Sequence, residues 1–282
     1  DMQDIKIAMI GGGFMGKAHS LAYSAMPMFF WPAPARPVKH VVVDATEDLA
    51  RTAADRYGWN TSSSSWEAVI NDPEVDLVDI ATPNNLHAEI AIAAAEAGKH
   101  VICEKPLAPT FRDAVEIVEA CERAGITLMV NQQARWAPYH RAVKVLIDRG
   151  VLGQLFSMVN LHRQNQDSAD SPWAGTLDFT IIDNGIHYVD LSRYFSGRTP
   201  RRVMASAARK PGQHSVSPMV YTLLGVYEPN DLTSALHFNN IATGMHHFPY
   251  LWYFDGTEAS ASIARYGSLR DGRTELAVAF KD

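Results

Sequence analysis

Ile5-Lys6-Ile7-Ala8-Met9-Ile10-Gly11-Gly12-Gly13-Phe14-Met15-Gly16 is the stretch on which the fold turns. Its first half is a short apolar run that reads as a buried strand, and residues 17–25 after it read as a helix. Between them Gly11, Gly13 and Gly16 fit G-x-G-x-x-G, with Phe14 and Met15 inside the same loop. The spacing alone is weak; leaving a strand and opening a helix is the context that gives it meaning. The first glycine permits a tight turn, the second lets backbone approach a pyrophosphate, and the third lets helix and strand pack closely. Main-chain amides at the helix N-terminus then face the phosphates. The loop therefore predicts a bound dinucleotide.

Outward from the loop, residues 39–43 read as a second strand ending at Asp44. A carboxylate there accepts hydrogen bonds from the adenosine ribose and repels a 2′-phosphate. Ala45, Thr46 and Glu47 follow, with no arginine, so the cofactor expected is NAD rather than NADP. Asp44 lies 28 residues past Gly16, where about 20 is usual. The excess is residues 26–37, which carry Pro27, Pro32, Pro34 and Pro37 and read as a loop.

Strand and helix then alternate. Residues 47–57 have helical spacing with Gly58 as C-cap, 62–65 form a short polar loop, and 75–81 form a strand. Residues 86–97 are an alanine-rich helix closed by Gly98, and 100–103 are a strand. Thr110 caps a helix over 111–124, with Asp113 completing a capping box, and 126–130 form a strand. Short connections and near-continuous apolar strands predict a doubly wound parallel sheet, an α/β Rossmann domain over residues 1–131. After that the pattern changes. Residues 140–149 and 179–194 read as helices and 153–163 as a long strand. From Arg201 on there are only strand-like segments, at 203–207, 220–226, 234–239, 250–254, 259–264 and 275–280. Residues 132–282 are expected to form an α+β domain with an open, largely antiparallel sheet.

The 282 residues are 47% hydrophobic and 20% charged, with a formal net charge of -6. A mildly acidic chain without a basic cluster argues against nucleic acid and anionic membrane as partners. No apolar run approaches the roughly 18 residues of a membrane span, and no signal peptide is visible. Cys103 and Cys121 make no disulfide framework and suit a reducing cytosol, so a cytoplasmic protein is expected.

Three more motifs join the glycine loop: Ala81-Thr82-Pro83-Asn84-Asn85-Leu86-His87, Glu104-Lys105-Pro106 and Asp183-Asn184-Gly185-Ile186-His187. Together they resemble the glucose-fructose oxidoreductase/inositol dehydrogenase/MocA (Gfo/Idh/MocA) family over nearly the whole chain. Glu-Lys-Pro after a strand is the most specific of them. The resemblance implies a nicotinamide cofactor, sugar, cyclitol or sugar-derivative substrates, and homodimers or homotetramers built by packing the open sheets. It implies that Thr82, Asn84 and His87 lie near the nicotinamide half of the cofactor, that Glu104 approaches the nicotinamide ribose, and that Pro106 shapes the turn. It makes Lys105 catalytic and Asp183 and His187 the substrate-side partners.

The residues themselves support such chemistry. Oxidising a secondary alcohol requires removal of the hydroxyl proton. Asp183 and His187 are four apart on an expected helix and so share a face. A carboxylate beside an imidazole fixes its tautomer and raises its basicity, which makes His187 a general base, or the acid in reverse. Lys105 has just left a parallel strand, at the edge where such sheets bind ligands. Its ammonium could polarise the substrate oxygen, or the amine could carry the proton itself; both assignments stay open. Asp190 extends the face and reads as structural. Gln132, Gln133, Arg135 and Trp136, and Arg163, Gln164, Asn165 and Trp173, could face a polyol or serve as rim and interface residues. His246-His247 is not a metal signal, because adjacent side chains diverge, and no metal is expected.

The activity expected is hydride transfer between a secondary hydroxyl of a sugar or cyclitol and NAD. Two alternatives stand beside it: glycoside cleavage assisted by transient oxidation with bound NAD, and a non-catalytic sensor, against which the retained Lys105, Asp183 and His187 argue. Members of the family usually continue beyond a strand such as 276–280, so the chain reads as C-terminally short.

Overall fold

The computed structural model describes residues 2–171, 173–177, 179–229, 232–243, 250–267 and 272–281; His246 and His247 lie outside these. The chain divides into two compact units, Asp1–Asn131 and Gln132–Asp282.

The first unit runs β1 (Asp4–Ile10), α1 (Phe14–Phe29), β2 (Arg36–Val43), α2 (Glu47–Tyr57), β3 (Thr61–Ser63), α3 (Trp66–Ile70) and β4 (Leu77–Ile80). It continues α4 (His87–Glu96), β5 (His100–Glu104), α5 (Phe111–Ala124) and β6 (Leu128–Asn131). All six strands are parallel, in the order β3-β2-β1-β4-β5-β6. That is the Rossmann arrangement, with its crevice where strand order reverses beside β1. Ala8, Ile10, Val78, Ile80, Val101 and Cys103 are buried between the helical layers, as parallel strands covered on both faces require. The helix ends follow local chemistry. Thr46 and Thr110 cap α2 and α5 by accepting from Leu49 N and Asp113 N, and Gly58 and Gly125 close them in the left-handed conformation.

Two connections differ from the sequence reading. The loop expected over 26–37 shrinks, because α1 runs on to Phe29 and β2 starts at Arg36. Pro27 falls in the last turn of α1, where its missing N–H costs only one main-chain bond. Pro37 lies in the first half of β2, which pairs with β1 alone, since β3 reaches only Val41–Val43. The polar loop expected at 62–65 is instead part of β3, and Ser65 caps α3. Three polar residues carry no apolar period by which a strand could be recognised.

The second unit holds α6 (Pro138–Asp148), β7 (Leu155–Arg163), a π-helical turn (Thr180–Gly185) leading into α7 (Ile186–Ser196), and β8 (Arg202–Ala208). Then come β9 (Val220–Tyr227), β10 (Leu232–Asn239), β11 (Tyr250–Gly256), β12 (Ala259–Tyr266) and β13 (Arg273–Phe280). The sheet order is β13-β12-β11-β7-β10-β9-β8, antiparallel throughout except for the central β7–β10 pair. Its strands alternate: Leu232, Ser234, Leu236 and Phe238 of β10 are buried and the residues between them are not. Phe195 of α7 packs edge-on against Trp252 and Phe254, at ring-centroid distances of 5.4 and 4.7 Å. Val203, Met204, Leu224 and Phe280 remain exposed.

A chain of hydrogen bonds runs through this core. The Trp252 indole N–H donates to the Tyr250 hydroxyl oxygen at 2.6 Å, and that hydroxyl donates to His140 Nε2. His140 Nδ1 donates to the Ala134 carbonyl at 2.7 Å, which fixes the tautomer. Burial holds His140 and His162 down to about 4. Both are therefore neutral when folded and take up protons near 6.5 when unfolded. Their contribution is fully present above pH ~6.5 and is lost as pH falls toward ~4. Urea unfolding followed between pH ~6 and ~5 should show stability falling with pH, and His140→Gln should reduce that slope by roughly 1 kcal/mol per pH unit. An unchanged slope in a cooperatively folding variant would count against a neutral buried His140.

Candidate active site

The glycines of the loop do different jobs. Gly11 has φ +105°, and a Cβ there would meet the Ala81 carbonyl oxygen at 2.5 Å. A Cβ on Gly16 would lie 2.0 Å from the Gly11 carbonyl oxygen, and one on Gly12 would lie 2.7 Å from Ala53 Cβ. These three let β1, α1, α2 and the end of β4 close on one another. A Cβ on Gly13 would meet nothing within 4 Å. Among the described residues nothing would crowd a side chain there, so the position leaves room for a ligand to approach the backbone closely.

Gly11, Gly13, Asp44 and Thr82 line one cleft of about 290 Å³ at the switch point of the sheet. Asp44 Oδ2 accepts from Gly12 N at 3.0 Å and Oδ1 from Ala45 N at 2.7 Å, so the carboxylate at the end of β2 is held against the loop. No side chain caps α1, whose first-turn amides are left for another acceptor. The Thr82 hydroxyl is buried with no hydrogen-bond partner among the described residues. Open space beside Gly13, uncapped amides, a ribose-height carboxylate and an orphaned hydroxyl together fit a dinucleotide.

Other expected cofactor residues surround this cleft less directly. Phe14 is exposed and Met15 and Asn84 are half-buried. His87 is fully buried, with Nδ1 2.9 Å from the Pro106 carbonyl and Nε2 3.1 Å from the Thr82 carbonyl. Its imidazole ties the Thr82 loop to the Glu104-Lys105-Pro106 turn. Lys105 is half-buried just beyond β5. Glu104 is buried; its Oε1 accepts from His19 Nε2 at 3.0 Å and Asn131 Nδ2 at 2.7 Å, and its Oε2 from the Lys105 main-chain N–H at 3.1 Å. His19 in turn donates from Nδ1 to Asp79 Oδ2 at 2.8 Å, and the Tyr23 hydroxyl donates to the same oxygen. Burial alone would lower His19, but hydrogen bonds to Asp79 and Glu104 and their charges raise it to about 10. Burial also opposes ionisation of Glu104, yet His19 and Asn131 hold it below the usual carboxylate range. Sequence reasoning passed over His19, Asp79 and Asn131. The available signal was a histidine among Gly16, Ser20 and Tyr23, on the stripe of α1 that faces the sheet.

In the second unit a pocket of about 640 Å³ is lined by Gln133, His162, Gln164, Asn165, His187 and Tyr250, among others. That volume suits one small ligand. His187 enters it from the start of α7. Asp183, half-buried, belongs to the preceding π-helical turn. The expected i,i+4 pairing on one α-helix is therefore replaced by a wider turn between the two residues, of the kind frequent at functional sites. Gly185 makes that turn possible, since a Cβ there would lie 2.9 Å from Phe238 Cζ. Asn184 of the same motif donates to Gln166 Oε1 at 3.1 Å, tying the turn to the end of the β7 segment. Arg163 also borders the pocket. Asp190 is buried and grips Arg135 through both oxygens, with Nε to Oδ2 at 2.7 Å, the structural role expected of it. Trp173 stacks on Phe179 at 5.2 Å, and Trp136 is exposed beneath Arg141. Neither they nor Gln132 line the pocket. His140, His162, Tyr250 and Arg265 line it and were missed, because they come from strand and helix positions far apart in sequence. Among the described residues no group of three or more His, Cys, Asp or Glu is placed to hold a metal ion, and no helix is long and apolar enough to cross a membrane.

Comparison with known proteins adds an independent line. Residues 5–132 match the family model described as oxidoreductase family, NAD-binding Rossmann fold, and residues 140–262 match the GFO/IDH/MocA C-terminal domain. A levoglucosan dehydrogenase of Pseudarthrobacter phenanthrenivorans is 48% identical over 204 residues, 70% of this chain and 52% of its own length. Inositol 2-dehydrogenase 2 of Saccharopolyspora erythraea is 31% identical over 210 residues, 74% of this chain and 58% of its own. The chain thus spans between half and three-fifths of the length of these relatives. A solved levoglucosan dehydrogenase in complex with NADH and levoglucosan superposes with a TM-score of 0.84 at 35% identity, covering 99% of this chain and 80% of that one. Fold, motifs and both halves of the match agree: the chain belongs to the Gfo/Idh/MocA family of oxidoreductases, with an NAD-binding Rossmann unit.

Proposed function

We propose that the protein is an NAD-dependent dehydrogenase that oxidises a secondary hydroxyl of a sugar, cyclitol or sugar derivative. The observation that carries this reading is His187 at the wall of a pocket sized for one small ligand and bordered by Gln133, Gln164 and Asn165, in a chain whose other unit has a dinucleotide cleft. The solved levoglucosan dehydrogenase with NADH and levoglucosan supports an anhydrosugar, and the inositol dehydrogenase a cyclitol, as the first substrates to test.

Bound NAD⁺ supplies the hydride acceptor. Gly11, Gly13 and the α1 amides hold its pyrophosphate, Asp44 its adenosine ribose, and Thr82, Asn84 and Glu104 approach its nicotinamide half. Asp44 selects NAD by repelling a 2′-phosphate. The amides of Gln133, Gln164 and Asn165 hydrogen-bond substrate hydroxyls, while Tyr188, Tyr250 and His162 offer an aromatic wall to the apolar face of a ring. His187 takes the hydroxyl proton, with Asp183 favouring the imidazolium that forms. Lys105 stabilises negative charge developing on the substrate oxygen. In the second proton assignment Lys105 carries the proton and His187 orients the hydroxyl. We further propose a cytoplasmic homodimer or homotetramer assembled through the open face of the seven-stranded sheet, where Val203, Met204 and Leu224 are exposed.

Purified protein mixed with NAD⁺ and a panel containing levoglucosan, inositols and aldoses should generate NADH absorbance with at least one of them. Lys105→Ala and His187→Ala should each lower kcat/KM by roughly 10²–10⁴-fold; full activity in either would remove that residue from the chemistry. The glycines separate folding from binding. Gly16→Ala should lower the unfolding midpoint, whereas Gly13→Ala should leave it near wild type and weaken NADH binding by at least about tenfold, read by fluorescence titration. Equal effects of the two on stability would contradict the assignment.

A further inference from the structure

Around His19 lies a buried, strongly polar cluster of which the proposed function uses only Glu104. Three strands and one helix contribute. Asp79 comes from the middle of β4 and is fully buried; Glu104 ends β5, Asn131 ends β6, and His19 and Tyr23 come from α1. Both ring nitrogens of His19 face carboxylate oxygens, at 2.8 Å to Asp79 and 3.0 Å to Glu104. Nε2 also lies 2.9 Å from Asn131 Nδ2, and the hydrogen bonds and charges of the two carboxylates raise His19 to about 10, so it is an imidazolium that donates to both. The cluster therefore holds two carboxylates and one cation, with a net charge of −1. The other titratable groups facing it are the Tyr23 hydroxyl and the buried Cys103 thiol; burial first, and then the two carboxylates, push that thiol up and keep it neutral. Buried charge of this kind is expensive and adds little stability over an apolar core. Its placement suggests another use. The oxygen of Glu104 that His19 leaves uncovered accepts the main-chain N–H of Lys105.

We propose that His19 is a positioning residue for Lys105: by bridging Asp79 and Glu104 it locks the carboxylate that holds the Lys105 amide, and with Asp79 it sets the electrostatic field in which the Lys105 amine titrates. This rests on the reading of Lys105 as catalytic, but its test does not. Replacing His19 by glutamine removes the cation and leaves two facing carboxylates, so the field at Lys105 becomes more negative and its ammonium is harder to deprotonate. Replacing Asp79 by asparagine removes a negative charge at constant shape and acts in the opposite direction.

Competitive acetylation with isotope-labelled acetic anhydride, followed by mass spectrometry of the peptide containing Lys105, gives its titration midpoint without any substrate. His19→Gln should raise that midpoint by about half a pH unit, and Asp79→Asn should lower it by a similar amount. Cooperative unfolding and NADH binding of each variant establish that it is folded. Midpoints that stay at the wild-type value, or that move in the same direction in both variants, overturn the proposal, because a purely structural cluster predicts no opposed shifts. Should His19→Gln not fold, Asp79→Asn decides alone: a downward shift supports the proposal and no shift overturns it. Opposed shifts in a protein that turns over no sugar would sink the dehydrogenase reading and leave the role of His19 intact. Unshifted midpoints in an active enzyme would do the reverse.

Discussion

The contact between Gly16 and the Gly11 carbonyl is the constraint from which the first unit is built. Any side chain at Gly16 would fall 2.0 Å from that oxygen, so α1 can cross β1 this closely only on a bare backbone. The close crossing fixes where the rest of the helix lies. Its N-terminal amides open toward the cleft that Asp44 and Thr82 line. One turn on, Ser20 back-bonds to the Gly16 carbonyl and accepts from the Trp59 indole, fixing the helix against the end of α2. On the same turn His19 meets Asp79 and Glu104. A single steric permission thus sets both the uncapped amides of α1 and the charged cluster at the ends of β5 and β6.

The second unit solves a different problem. Its sheet is centred on β7, which pairs antiparallel with β11 and parallel with β10. The end of β7 runs straight into Gln164 and Asn165, so polar side chains of the pocket are set by a strand hydrogen-bonded along both edges. Opposite them the π-helical turn carries Asp183 and delivers His187, and Gly185 lets it lie on Phe238. The buried chain from Trp252 through Tyr250 to His140 reaches the pocket lining, satisfies its own polar groups and fixes their proton positions. The hydrogen bonds along this chain stiffen its part of the wall.

Much of this was legible in the sequence, and the exceptions have physical causes. The parallel sheet announced itself through apolar runs and the glycine loop, and α5 through Thr110 and Asp113. β3 did not, since three polar residues pair only because Val41–Val43 present an open edge to them. The helical stretch beyond Pro27 was hidden by a rule that holds for helix interiors and relaxes at the last turn. The cleft residues Gly11, Gly13, Asp44 and Thr82 could be named because each belongs to a local motif. His140, Tyr250 and Arg265 could not, because they meet across more than a hundred residues of sequence and no local pattern encodes that register. His19 lay in plain view next to the glycine loop, but its partners come from three different strands.

The central claim is that a carbon-bound hydrogen of a sugar passes directly to NAD⁺ at this site. Incubating the protein with NAD⁺ and levoglucosan or inositol deuterated at its carbon-bound positions, and weighing the cofactor by mass spectrometry, tests it most directly. The account predicts reduced cofactor carrying one deuterium, with transfer slowed by roughly 10²–10⁴-fold in the Lys105→Ala protein. Reduced cofactor without deuterium, or a sugar chemically changed while the cofactor stays unlabelled throughout, would contradict it.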